Sequence, residues 1–572
     1  MAHTSLKMSA DAKSAASTEQ RLLDDAIAAV KDRAMEWARL PAITKAALLR
    51  ECIPRVLDAA PGWVAEGATA RGADQAEEWL AGVTPTIRQL RLFADSMEAI
   101  AQRGRPALGR GSRTGPGGRL AIDVFPSSNI DRVSFAGFTA YTLMEEGVDG
   151  TAARRRQASF YKQSDPEGGV SLILGAGNVS SIPPMDVVSK MFVEGLVCVL
   201  KMNPVNEWVG PYLERALAPL ISRNYLRIVY GGADVGKYLV YHEGIDDIHI
   251  TGSDRTHDMI VWGPPGAERD RRMKDNDPVL QIPISSELGN VSPVAIVPYE
   301  YSDEQLWFQA RNLVTMVTNN ASFNCNAAKM LITAEGWSQR DRFLDMIAKG
   351  LGSVPPRKAY YPGAFDRYET LVGKRESVVK LGVAKPGTLP WALVPGVDSA
   401  AADDLFRVEP FCGILSETRL GSGDPVEFIS AATSFMNDKL WGTLNAAIVI
   451  HPALEKDTVV GGALDRAIVE LRYGTVAINH WPALGYAFGT PPWGGHPSAT
   501  LQDIQSGLGW VHNTFMLEGI DKSVVRGNLV VKPKPVWFYD NTKAGAIAPM
   551  VARMEAEPSW LKVPGLLFKA LF

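Results

Sequence analysis

Cysteine is scarce: Cys52, Cys198, Cys325 and Cys412 are the four in 572 residues. So few thiols in so long a chain make no disulfide framework, and they point to a reducing compartment, with the cytoplasm the expected location. Their spacing, with eight histidines in the whole chain, gives no zinc pattern, and no metal is expected. An excess of one charge is lacking as well. The 59 Lys and Arg stand against 63 Asp and Glu, a net charge of −4, which gives no global basic bias toward nucleic acid. No apolar run reaches the roughly 18 residues that would span a bilayer. Residues 1–20, MAHTSLKMSADAKSAASTEQ, lack the apolar core of a secretory signal and read as a polar, disordered lead.

What is present is ordinary globular chemistry, 46% hydrophobic and 21% charged. The length suggests two or three domains. Residues 21–104 are helical by pattern: LLDDAIAAVKDRAMEWA, ITKAALLRECIPRVLDAA and TIRQLRLFADSMEAIA repeat apolar residues at three- and four-residue steps. GRPALGRGSRTGPGG, from Gly104 to Gly118, reads as a connection; no Gly-Lys-Ser/Thr ends it as a phosphate loop would. RLAIDVFPSS and TAARRRQASFYKQ look like β segments, with Arg154, Arg155 and Arg156 on a solvated face or subunit contact.

From Gly168 the pattern becomes strand–helix alternation. GGVSLILGAG, LVCVLKM, LRIVYGG and DDIHITGS read as strands, with SSIPPMDVVSKMFVEG, PYLERALAPLI and ADVGKYLVYHEG as helices between them. Repeated βαβ implies a mostly parallel sheet. Ligands then bind beyond the carboxyl ends of its strands.

Four local features carry chemistry. Gly175-Ala-Gly177-Asn178 half-matches a dinucleotide turn. Thr251-Gly252-Ser253, ending a strand, can offer a hydroxyl and backbone N–H groups to a pyrophosphate. Glu287, in QIPISSELGNVSPV, sits where partial burial would tune a base. Cys325, in NNASFNCNAAK, lies between the helical LWFQARNLVTMV and the strand-like KMLIT, placed as a presented nucleophile would be.

Taken in order, these stretches resemble the NAD(P)-dependent aldehyde dehydrogenase superfamily across about residues 20–540. The matching blocks are Asn178 with Lys201 (23 residues apart), the strand–helix–strand up to Thr251-Gly252-Ser253, SELGNVSPV, NNASFNC, VEPFCGIL, GTVAIN and PPWGG. Each alone is modest; the series in order is specific. The resemblance implies an α/β fold with a Rossmann-type cofactor domain (21–118 and 168–286) and an α/β catalytic domain (287–484). It adds oligomerisation strands at 119–167 and 524–545, with RGNLVVKPKPVWFYD as an edge strand used in subunit pairing, and a C-terminal tail at 546–572. It further implies oxidation of an aldehyde, bulky or apolar, to a carboxylic acid. Cys325 would be the nucleophile, Glu287 the general base, and Asn178, which opens a helix, the oxyanion donor. Lys201, Gly252, Ser253, Glu409 and Phe411 would hold NAD or NADP. No carboxylate stands three residues after Lys201, so NADP stays open beside NAD. The alternatives are a CoA-acylating dehydrogenase or acyl reductase, and a catalytically silent scaffold.

Trp481, Tyr486, Phe488 and Trp493 fall where family members build the substrate funnel. A homodimer or homotetramer is expected. The tail SWLKVPGLLFKALF suits packing on the chain's own dimer, cover for a partner's funnel, or contact with a membrane surface.

Overall fold

The computed structural model describes residues 18–108 and 111–571. Residues 1–17 of the expected lead, and part of the Gly104–Gly118 connection, lie outside them. Within that range the chain builds two sheets. In chain order the strands are β1 Ser112–Thr114, β2 Leu120–Phe125, β3 Phe138–Met144, β4 Val170–Leu174, β5 Val197–Lys201, β6 Leu226–Val229, β7 Asp247–Gly252 and β8 Ile284–Leu288. There follow β9 Pro293–Ile296, β10 Met330–Ala334, β11 Val379–Leu381, β12 Trp391–Val397, β13 Ile414–Leu420, β14 Asn445–Val449, β15 Thr475–Ile478 and β16 Ile520–Gly527.

The smaller sheet is parallel throughout, in the order β6-β5-β4-β7-β8. Its strands are near-continuous apolar runs, as in VCVLK of β5, where all five residues are buried. The order runs outward from β4 through β5 and β6, then reverses to β7 and β8. That reversal opens a crevice beyond the carboxyl ends of β4 and β7. The N-terminal helices complete this half, with Trp37, Trp63, Phe93 and Phe192 in its core. The larger sheet has the order β1-β2-β3-β16-β15-β14-β9-β10-β13-β12-β11. From β16 to β12 it is parallel, and β1–β3 join antiparallel at one side. This is the α/β architecture expected.

Two local expectations fail for identifiable reasons. Residues Gly150–Arg156 are helical, not strand. Asp149 caps them, its carboxylate accepting from the N–H groups of Thr151 and Ala152. The edge strand expected from Arg526 onward ends at Gly527, and β16 lies inside the sheet between β3 and β15. Pro533 and Pro535 lack the N–H that a continuing ladder needs. The tail forms a helix, Val563–Leu571, after Ala544–Ala556, and leaves Leu561 and Leu571 exposed. Among the described residues no helix is long and apolar enough to cross a membrane.

Two buried cations tie distant segments. Arg88, 2% exposed, donates to Asp131 at 2.9 Å, Glu555 at 2.8 Å and the Phe488 carbonyl at 2.7 Å. Lys45 is fully buried with no hydrogen-bond partner for Nζ. Its ammonium lies 4.8 Å from the Trp37 ring centroid, 5.0 Å from Tyr161 and 5.1 Å from Phe160. Burial pulls its pKa down to about 7. The native state therefore binds fewer protons than the unfolded chain between pH 7 and the usual lysine range. The penalty is full below pH 7 and fades as pH rises. Lys45→Met is expected to raise the apparent melting temperature by about 2–4 °C at pH 6, with the gap to the parent closing toward pH 10 in a melt series.

Candidate active site

The crevice widens into a cleft of about 1240 Å³ that runs from the carboxyl ends of β4 and β7 to the junction of the two sheets. All eight residues singled out in the sequence line it: Asn178, Lys201, Gly252, Ser253, Glu287, Cys325, Glu409 and Phe411.

Glu287 reaches the cleft on β8, where it pairs in register with Thr251 of β7. Four residues, Gly289 to Ser292, then carry the chain across to β9 of the other sheet. Cys325 arrives from the opposite direction. Helix Asp303–Thr318 starts from a capping box formed by Ser302 and Gln305, and β10, beside β9, follows the thiol. Between them Asn320, Ala321 and Ser322 hold left-handed backbone at φ 51°, 53° and 70°. Each such non-glycine residue costs about 1–2 kcal/mol, so the surroundings must hold this turn. Asn320 does much of it, its Nδ2 donating to the carbonyls of Asn178 at 2.9 Å and Phe323 at 3.2 Å. Tyr360 donates its hydroxyl to Asn320 Oδ1 at 2.8 Å.

Asn178 lies four residues before its helix, Ile182–Val193, rather than opening it. The prolines at 183 and 184 suit only the first turn, and this places the helix start. Its side-chain amide donates to the Phe323 carbonyl at 2.9 Å, and the amide's second N–H is left for a ligand. The Cys325 carbonyl is held by Ser292 Oγ at 2.9 Å and Lys329 Nζ at 3.1 Å.

Burial is the largest influence on both Glu287 and Cys325. It raises Glu287 to about 8, with help from the Asp186 carboxylate. It also pushes the Cys325 thiol well above its usual range, and Glu287 adds to that. The thiol and the Trp493 indole N–H both face the Glu287 carboxyl. Oε1 of Glu287 and Nε1 of Trp493 nevertheless remain without a hydrogen-bond partner of full geometry. A buried acid with one free oxygen beside a thiol is poised to take up a proton.

The other end of the cleft fits a dinucleotide. Ser253 caps helix Asp254–Trp262, accepting from the Thr256 N–H at 3.2 Å, and the helix N-terminus opens onto the cleft. Lys201, Lys237 and Arg255 line the same space, as a pyrophosphate would need. Burial lowers Lys201 to about 8. Phe411, at φ 43°, sets its ring against Tyr361, 4.9 Å between centroids. Glu409 accepts from Lys329 at 2.6 Å.

The aromatic residues assigned to a funnel are packed instead. Trp493 and Phe488 are fully buried, and Phe488 stacks on Phe125 at 3.7 Å. Sequence reasoning missed Lys329, Tyr360, Asp186 and His512. Lys329 carried a signal, a charge at the start of the apolar KMLIT. His512, buried at φ 57° with neither ring nitrogen bonded, carried none.

No family model matches the chain. A curated relative, N-succinylglutamate 5-semialdehyde dehydrogenase of Sphingopyxis alaskensis, is 29% identical over 209 residues, 36% of this chain and 42% of that protein. A second, from Novosphingobium aromaticivorans, is 22% identical over 305 residues, 53% of this chain and 56% of that protein. The matches thus span about half the length of these curated relatives. Among solved structures, glyceraldehyde-3-phosphate dehydrogenase GapN from Methanocaldococcus jannaschii, complexed with NADP, superposes at a TM-score of 0.60 and 16% identity, over 89% of this chain and 95% of that one. The aldehyde dehydrogenase KauB from Pseudomonas aeruginosa gives 0.60 and 17%, over 89% and 90%.

One glycine is demanded by this arrangement. A Cβ on Gly289 would lie 1.8 Å from Glu409 Oε2. Gly289→Ala is therefore expected to drive Glu409 off Lys329 and leave a buried ammonium short of its counter-charge. The loss should be about 3 kcal/mol, measured by chemical denaturation against the parent.

Proposed function

We propose that this chain, folded as the aldehyde dehydrogenases are, oxidises an aldehyde to a carboxylic acid with NAD or NADP. The observation that carries the reading is one cleft with a thiol, a carboxyl with a raised pKa and a side-chain amide at one end, and a helix N-terminus with lysines at the other.

Cys325 gives up its proton to Glu287, and the thiolate adds to the aldehyde carbon. The negative charge that develops on oxygen is met by the free N–H of Asn178 and the backbone N–H of Cys325, each such donor worth about 3–4 kcal/mol. When bound, the nicotinamide supplies the hydride acceptor. Lys201 would meet the adenosine ribose, Gly252 and Ser253 the pyrophosphate, Glu409 the nicotinamide ribose and Phe411 the face of the ring. The acyl group is left on Cys325 as a thioester. Glu287 first releases the thiol's proton to solvent and then takes a proton from water, the hydroxide oxygen bonds to the acyl carbon, and the carbon–sulfur bond breaks to return the thiolate. An aldehyde, water and NAD(P)+ thus give a carboxylate, NAD(P)H and two protons. The cleft lining is mainly apolar, which supports a bulky or apolar aldehyde even though Trp481, Phe488 and Trp493 are buried. The outer strand β1, exposed at all three residues, supports assembly into a homo-oligomer through the β1–β3 side.

A panel of aldehydes with NAD+ or NADP+, followed at 340 nm, tests the activity. Reduction of the cofactor without CoA, giving the free acid, supports it. A product that forms only with CoA would place the chain in the acylating branch, and silence toward every aldehyde would leave a scaffold. Cys325→Ser should lower turnover by about 10³-fold or more while cofactor binding, followed by fluorescence titration, stays as in the parent. A separate check is pH. With Glu287 titrating at about 8, the base is protonated and idle below that point. Turnover should climb as pH rises toward 8 and level off above it. Glu287→Gln should remove this limb from the pH–rate profile.

A further inference from the structure

Lys329 touches both sides of the catalytic junction. Its side chain is fully buried, and a buried ammonium survives only if its hydrogens and its charge are both met. Nζ donates to the carbonyls of Asn290 at 3.1 Å, Asn324 at 3.0 Å and Cys325 at 3.1 Å, and to Glu409 Oε1 at 2.6 Å. The first of these belongs to the crossing that follows Glu287. The next two are the peptide carbonyls before and after the Cys325 α-carbon, and the last belongs to an acid lining the cofactor end of the cleft.

The surroundings of the thiol make this cation more than a brace. The titratable groups facing Cys325 are Glu287 on β8, Glu409 ahead of β13, Tyr486 on the short helix Ala483–Ala487, and Lys329 itself. Both carboxyls oppose a thiolate; Lys329 favours it. Without the ammonium, a sulfur already disfavoured by burial would have to ionise between two acids.

We infer that Lys329 is a positioning residue of the reaction: it fixes the Cys325 peptide against the crossing between the sheets and supplies the positive charge that lets the thiol ionise. This rests on Cys325 being the reactive thiol, as proposed above. It accounts for a lysine, rather than a neutral amide, at the start of a buried strand. An amide can serve the three carbonyls but carries no charge to set against Glu409 and the thiolate.

Alkylation of Cys325 by iodoacetamide, read by peptide mass over pH 6–10, tests the inference without any aldehyde. In Lys329→Met, with circular dichroism matching the parent, the alkylation midpoint should rise by about one pH unit or more, which is about a tenfold slower reaction at a fixed pH below it. Lys329→Arg should recover part of the shift. A folded Lys329→Met with the parent's profile would overturn the inference. If Lys329→Met does not fold, Glu409→Gln is read instead. Freeing the ammonium from its counter-charge should lower the midpoint, and an unchanged or higher midpoint would overturn the inference. A shifted midpoint in a protein that oxidises no aldehyde would instead count against the proposed activity and leave the role of Lys329 standing.

Discussion

The chain passes from one sheet to the other in four residues, Gly289 to Ser292, and this short crossing governs the rest of the site. Glu287 ends the smaller sheet, β9 opens the larger one, and β10 brings the thiol loop alongside. With so little chain between them, the two sheets cannot separate without pulling the carboxyl away from the sulfur. The crossing is held by its own hydrogen bonds. Asn290 donates to the Asn445 carbonyl at 2.9 Å, and Ser292 Oγ lies 2.9 Å from the Cys325 carbonyl. Rigid strands on both sides keep the carboxyl and the thiol in place better than a loop could.

Charge is handled at this junction by compensation instead of exclusion. Glu287, Glu409, Lys329 and Asp186 are all withdrawn from water within a small volume. Interiors tolerate such groups when each meets a partner. Here Glu409 meets Lys329, and Asp186 accepts from Thr251 at 2.8 Å. Asp186 Oδ1 is left without a partner, and so is Oε1 of Glu287, whose titration burial raises. An unsatisfied acid in a dry pocket prefers its neutral form, and this brings its titration into the range a general base needs.

Much of the fold was legible because burial writes itself into sequence. VSLIL, VCVLK and the alternation around them announced a parallel sheet, and Thr251-Gly252-Ser253 marked the strand end and helix start that line the cleft. Lys201, Gly252 and Glu287 lie in or at the end of strands that the pattern marks, while Asn178, Cys325 and Glu409 stand in loops and were singled out by motif order. What stayed hidden depended on distance. Tyr360 reaches Asn320 across 40 positions, and no local pattern encodes that. TAARRRQ misled because its helix is fixed by one capping carboxylate, Asp149, and not by periodicity. The aromatic cluster misled for a related reason: composition shows that large rings are present, not whether they face a cleft or one another.

The bonds of Arg88 have a consequence for how such a chain comes off the ribosome. Its acid partner Glu555 lies 467 positions later. The helices around Arg88 are therefore made long before the second of its two carboxylate partners, and at ordinary synthesis rates of about 5–20 residues per second the wait is tens of seconds. During that interval Asp131, 43 positions after Arg88, is the carboxylate at hand, and the side of the guanidinium that Glu555 will meet stays open. This disfavours early closure and keeps the half-made protein open to chaperones until its last helices arrive.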